Sequence, residues 1–175
     1  MPAAHDGCLS QPVDKFFASG GRLTFLYDGR VSSQEIYGLF ALLPADGTAG
    51  LDVSLKEISN GEIWLGVFDA PNTEATGMLL VIPSGNVKNR PILQKTMPGQ
   101  VRMDSTKQIP SDPAVYGVLF DFNNGSIKAS VPKIAYNFNA IPVPSAQKWL
   151  FVGYRVVSGS NRIQAEFSNL VIQAR

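Results

Sequence analysis

The sequence holds one cysteine, Cys8, and one histidine, His5, in 175 residues. A lone cysteine excludes an intrachain disulfide. That suits a reducing compartment, although a domain of this size can live outside the cell without a bridge. A Ser–His or Cys–His nucleophile pair would have to draw on His5, at the extreme N-terminal end, and a zinc site of the usual His/Cys type lacks ligands. Charge is also scarce. Charged residues make up 17% of the chain and the formal net charge is +1, so no global field draws in nucleic acid or a membrane surface. No apolar run is long enough to cross a bilayer, so membrane insertion is not expected, and no basic-then-apolar signal opens the chain.

Helical periodicity is missing as well. No segment keeps an apolar period of 3.6 residues over a helix's length; Val13–Ala18 and Ser33–Tyr37 allow one helical turn each. There is no phosphate-cradling glycine loop, because Gly20-Gly21 alone is a turn. No internal repeat or low-complexity tract marks a boundary. The expected organisation is a polar leader over 1–14 and a single domain over 15–175. The start, Met1–Gly7, reads equally as a natural beginning or as the edge of an excised domain.

What the sequence does have is period-two alternation. In Leu51–Glu57, Leu51, Val53 and Leu55 alternate with Asp52, Ser54 and Lys56. In Arg162–Phe167, Ile163, Ala165 and Phe167 alternate with polar residues. The pattern then slips towards Leu170 and Ile172 across Ser168-Asn169, as a β-bulge would make it. Further strands are predicted over Arg22–Asp28, Ile36–Leu43, Glu62–Asp69, Met78–Ile82, Ala114–Phe122, Ser126–Val131, Ile134–Ile141 and the run from Lys148. Turns are expected at Asp28-Gly29, Asn60-Gly61, Asn124-Gly125 and Ser158–Asn161. Asn124-Gly125-Ser126 also matches a glycosylation acceptor, but the hairpin turn is the preferred reading. Strands with one wet face need antiparallel pairing and a second layer. The predicted fold is therefore an all-β, antiparallel two-sheet sandwich.

Charge is uneven along the chain. Residues 1–85 carry four basic and ten acidic side chains, and 86–107 carry five basic and one acidic. The latter stretch is proline-rich and irregular. It reads as edge strands protected by Lys and Pro, or else as a loop that carries specificity. It contains no aromatic residue, which argues against stacking of nucleic-acid bases.

The candidate functional residues are aromatic and acidic. With Ile63, Leu65 and Val67 facing inward, Trp64 and Phe68 point outward, beside Gly66. Exposed aromatic faces stack on sugar rings. Trp64, Phe68 and Tyr116 are therefore the expected contacts, with a loop, residues 84–112 or a partner as alternative covers. Trp149 is expected to face the core with Phe151. Asp52 and Glu62, on two arms of a predicted hairpin, are the one candidate carboxylate pair, and no acidic strand motif of the Glu-x-Asp kind accompanies them. No cofactor is expected. Calcium would have to use Asp28, Asp46, Asp69 or Asp121, placed at predicted strand ends.

Phe151–Arg155 followed by Ile163–Ile172 resembles the closing strands of the concanavalin A-like lectin/glucanase superfamily, over about a fifth of the chain. The resemblance implies a jelly roll and often a carbohydrate-binding concave face. The superfamily's catalytic acidic motif and the Asp/Asn/His calcium cluster of the legume lectins are both missing here. The expectation is a non-catalytic binding module for a glycan or protein surface. The alternatives are an assembly protein whose outward aromatics make homo-oligomer contacts and a glycoside-active enzyme. An extracellular or cell-surface location follows only if the chain belongs to a larger secreted protein.

Overall fold

Alternating apolar residues demand two faces, and the computed structural model supplies two antiparallel sheets. It describes residues 3–4, 16–83, 92–97, 100–108, 115–132, 136–137, 140–143, 145 and 147–175, with side chains over 18–83, 117–132, 140–143, 145 and 147–175. In chain order the strands are β1 (Ala3–Ala4), β2 (Phe16–Ser19), β3 (Arg22–Val31), β4 (Glu35–Leu43), β5 (Gly47–Ser59), β6 (Gly61–Phe68), β7 (Gly77–Pro83) and β8 (Ile92–Met97). There follow β9 (Gln100–Gln108), β10 (Val115–Asn123), β11 (Ser126–Val131), β12 (Tyr136–Asn137), β13 (Ile141–Pro142), β14 (Lys148–Val156) and β15 (Gly159–Ala174). Sheet A runs β1-β4-β14-β6-β7-β8-β9 and sheet B runs β12-β11-β10-β5-β15-β3-β2, with β13 also on β11. The predicted all-β antiparallel sandwich is the observed fold.

Several local expectations hold. Ser19 pairs with Arg22 around Gly20 and Gly21, both left-handed, in a two-residue hairpin turn. Asn123 pairs with Ser126, and the Asn123 carboxamide oxygen accepts the Gly125 N–H at 3.0 Å, closing that hairpin. The bulge lies between Ser168 and Val171, with Asn169 left-handed at φ 53°. Beyond it, however, Leu170 and Ile172 do not return to the core; they are exposed. The basic stretch does supply a pair of strands, β8 and β9, at the outer edge of sheet A.

Other expectations are corrected. Asp28-Gly29 is no turn: β3 continues through it, pairing with Arg162 and Asn161. Ser33–Tyr37 makes no helical turn, because β4 begins at Glu35. Ala3–Ala4, placed in a loose leader by the sequence, pairs with Leu39 and Gly38; residues 5–15 lie outside the described ones, and with them most of Val13–Ala18. Asn60-Gly61 is not a hairpin. It carries the chain from β5 in sheet B to β6 in sheet A. Ser158–Asn161 makes the same kind of crossing in reverse, from β14 to β15. The two crossings are joined: the Asn60 carboxamide donates to Ser160 O at 3.0 Å, while buried Asn161 donates to Val157 O at 2.7 Å and Gly159 O at 2.8 Å.

The interior between the sheets is filled by the inward rows. Ile63, Leu65 and Val67 of β6 meet Ile163, Ala165 and Phe167 of β15 in one cluster with Phe25, Tyr27 and Tyr154. Sheet A also buries apolar residues on its outer face. Phe40, Trp64, Phe68, Leu79, Val81 and Phe151 form a separate cluster on its outer side, with Trp149 packed against it. Trp149 and Phe151 thus share a face as expected, but it is the outer one.

Glycines make this face possible. Gly38 and Gly153 are cross-strand partners, and Gly66 is opposite Phe151. A Cβ on Gly38 would lie 2.4 Å from the Phe151 ring, and one on Gly77 would lie 2.6 Å from the Phe68 ring. The rings therefore lie over bare backbone. Segment 69–76 folds back on itself, with Asp69 N–H donating to Thr76 O at 2.9 Å, and brings Ala70 and Ala75 against the rings. Burying each phenyl ring stabilises the fold by roughly 1.5–3 kcal/mol.

Gly153→Ala tests this packing. Its Cβ would meet Tyr37 O at 2.1 Å and the Phe151 ring at 2.7 Å. The expected loss is about 1–3 kcal/mol or more in urea unfolding. Gly125→Ala, whose Cβ would meet nothing nearer than 4.0 Å, should be close to neutral.

Candidate functional site

On the outer face of sheet A, polar chemistry is confined to one end. The outward positions of β6 are Glu62, Trp64, Gly66 and Phe68, and those of β14 include Trp149, Phe151, Gly153 and Arg155. Glu62 and Arg155 are cross-strand partners. An Arg155 Nη lies 2.8 Å from Glu62 Oε1, in an ion pair whose side chains are 17% and 14% exposed. The Trp64 indole N–H donates to Glu62 Oε2 at 2.6 Å. The Arg155 guanidinium carbon stands 5.6 Å from the Trp64 ring centre, within cation–π range. Its other Nη donates to Gln34 Oε1 at 3.0 Å, on the exposed β3–β4 turn. The buried Arg155 Nε has no hydrogen-bond acceptor among the described residues.

This arrangement sorts the predicted site residues. Trp64 and Glu62 are brought together. Trp64 points away from the inter-sheet core as expected, yet it is 4% exposed, and Phe68 is fully buried. Neither offers an open ring face: Phe68 lies over Gly66 and Gly77, and Trp64 is buried in the same cluster, against which Ala70 packs. Asp52 is elsewhere. It projects from the outer side of sheet B and accepts a hydrogen bond from the Asn169 carboxamide at 2.9 Å. The Asp52–Glu62 pair fails because the link between their strands crosses between sheets. The Tyr116 backbone pairs with Val53; its side chain lies outside the described ones. Sequence reasoning missed Arg155 and Gln34. Arg155 shares the face of Trp149 and Phe151, which the sequence reading turned towards the core, and its partner required the β14–β6 register.

The aspartates considered for calcium separate as well. Among the described residues, no group of three acidic, histidine or cysteine side chains has the geometry to hold a metal. Asp28 pairs with Arg162 at 3.4 Å and Asp121 with Arg175 at 2.9 Å, both on the surface. Asp69 and Asp46 act on Lys148, which is fully buried at the start of β14 and donates to Ser145 O. Burial pushes the Lys148 pKa below 10.5, and the charges of Asp69 and then Asp46 only partly restore it. Between that lowered value and 10.5, the unfolded chain binds more protons than the folded one. Stability contributed at this group therefore rises with pH across the window, and the cost of the buried ammonium is borne in full below it. Lys148→Met should flatten the rise seen between urea melts at pH 8 and pH 10. A rise of equal size in the variant would contradict the assignment.

No protein-family model matches the sequence, and no curated protein is similar to it in sequence. Similarity appears in three dimensions. A functionally unknown protein from Saccharomyces cerevisiae superposes with a TM-score of 0.67 at 15% identity, over 95% of each chain. A β-glucanase of Bacillus licheniformis gives 0.62 at 12% identity, over 93% of this chain and 83% of that one. An alginate lyase of polysaccharide lyase family 7 gives 0.58 at 14% identity, over 94% and 85%. The fold is the two-sheet jelly roll that these structures share. The resemblance read from the closing strands thus extends over nearly the whole chain at the level of fold. Among the described residues, no helix is long and apolar enough to cross a membrane.

Proposed function

We propose that this jelly roll is a non-catalytic carbohydrate-binding module, and that the polar end of sheet A's outer face is its contact. One observation carries the reading: among the described outward residues of β4, β14, β6 and β7, Glu62 is the single carboxylate, and Arg155 holds it. Glycoside hydrolysis of the common kind needs two carboxyl groups flanking the bond. Here the outward positions after Glu62 on the same strand are Trp64, Gly66 and Phe68. A carboxylate, a forked guanidinium and the exposed Gln34 amide side by side suit the hydroxyl groups of a sugar, with the indole below them. The solved structures similar in fold include a β-1,3-1,4-glucanase (lichenase) and an alginate lyase, which favours a polysaccharide as the ligand class. The assembly reading loses its outward contacts Trp64 and Phe68, because both rings are covered.

The test uses a panel of β-1,3-1,4-glucan and alginate oligosaccharides, with reducing-end release measured in parallel. Binding without release is expected. Arg155→Lys, which loses the two-pronged geometry, and Glu62→Gln should each weaken binding at least tenfold, about 1.4 kcal/mol. Both variants should keep the wild-type far-UV spectrum. Sugar release that vanishes in Glu62→Gln would make the protein an enzyme, and a panel without hits would remove the site.

A further inference from the structure

The sandwich also has an opening that the glycan reading does not use. At the lateral edge where β4 and β14 of sheet A stand over β3 and β15 of sheet B, the inward rows fail to meet. They leave a cavity of about 480 Å³. Leu39, Leu150 and Val152 line it from one sheet, and Leu23, Leu51 and Phe167 from the other. The β2–β3 turn stands at one end of the lining, where Gly20 and Gly21 have no atom within 4 Å of where a Cβ would sit.

We propose that this cavity binds the alkyl chain of a fatty acid, with the carboxylate held at Arg22. The volume falls in the ordinary range for small-molecule sites, about 300–1,000 Å³. Among the described residues the walls are mainly apolar, which suits hydrocarbon and leaves a sugar's hydroxyls unpaired. An apolar lining of this kind favours apolar ligands through the area they remove from water. Among the described lining residues, Arg22 is the one that is charged. Its partner, Glu166, stands 3.4 Å away in a pair whose arginine is 63% exposed. An exposed pair of this kind holds its guanidinium weakly, so Arg22 can turn to a ligand's carboxylate at little cost. The site lies between the sheets, and the proposal stands or falls separately from the glycan contact on the outer face.

The experiment is calorimetric titration of lipid-stripped protein with dodecanoate and with dodecanol. Saturable one-to-one binding of dodecanoate is expected, at least tenfold tighter than dodecanol. Arg22→Gln should remove that preference while leaving dodecanol binding unchanged. Ala41→Phe fills the cavity from β4, and Val152→Phe fills it from β14; whichever keeps the wild-type melting temperature should abolish uptake of both ligands. Absence of dodecanoate binding, equal affinity for the two ligands in the wild type, or uptake that survives a folded cavity-filling variant would each overturn the proposal.

Discussion

The structure depends on phenyl rings lying over glycine. A strand buried on one face can alternate apolar with polar residues, but β6, β7 and the middle of β4 and β14 bury side chains on both faces, and the outer rings must be covered. Gly38, Gly66, Gly77 and Gly153 remove the side chains on which the rings of Phe151 and Phe68 would otherwise ride, so the rings drop onto the backbone. Phe151 then meets Phe40 at 4.8 Å between ring centres and Phe68 at 6.4 Å, the latter edge-on. Glycine ordinarily weakens a strand by adding backbone freedom to the unfolded chain. Here that cost is offset by the buried area of the rings it admits.

The same arrangement fixes where polar chemistry can lie. A sheet face filled with rings has no room for hydrated groups at its centre, so Glu62 and Arg155 sit at its end, beside the crossings between the sheets. Their ion pair is mostly removed from water, and the Trp64 indole, itself part of the aromatic layer, holds the carboxylate from below. Packing and site therefore share a residue. Trp64 belongs to the second core by its ring and to the polar group by its N–H.

Much of the fold was legible in the sequence because alternation reports directly on a two-layer sandwich. The inward rows of β5, β6 and β15 were read residue by residue, and the bulge at Ser168-Asn169 was visible as a slip in period. Connections were not. Asn60-Gly61 has the chemistry of a hairpin turn, yet Asn60 in the left-handed region serves a crossing between sheets equally well. Local turn preference cannot distinguish the two, since the choice is made by the pairing of β6 with β14. The candidate site was half legible. Glu62 and Trp64 stand two residues apart on one strand, whereas Arg155 and Gln34 come from 93 and 28 positions away in sequence and reach the site only through register. The expected exposure of Phe68 differs from the observed burial for a physical reason: the glycines that let rings sink into the sheet form a set across four strands, of which only Gly66 stands beside the ring in sequence.

The central claim is that the aromatic layer on the outer face of sheet A is closed around Trp64, and the two tryptophans allow a direct test. Trp149→Phe leaves Trp64 as the single tryptophan. If the face is packed as described, its emission is blue-shifted in the native state and resists acrylamide quenching until the protein unfolds. Native emission at the wavelength of a solvated indole, quenched as readily as in urea, would contradict the account.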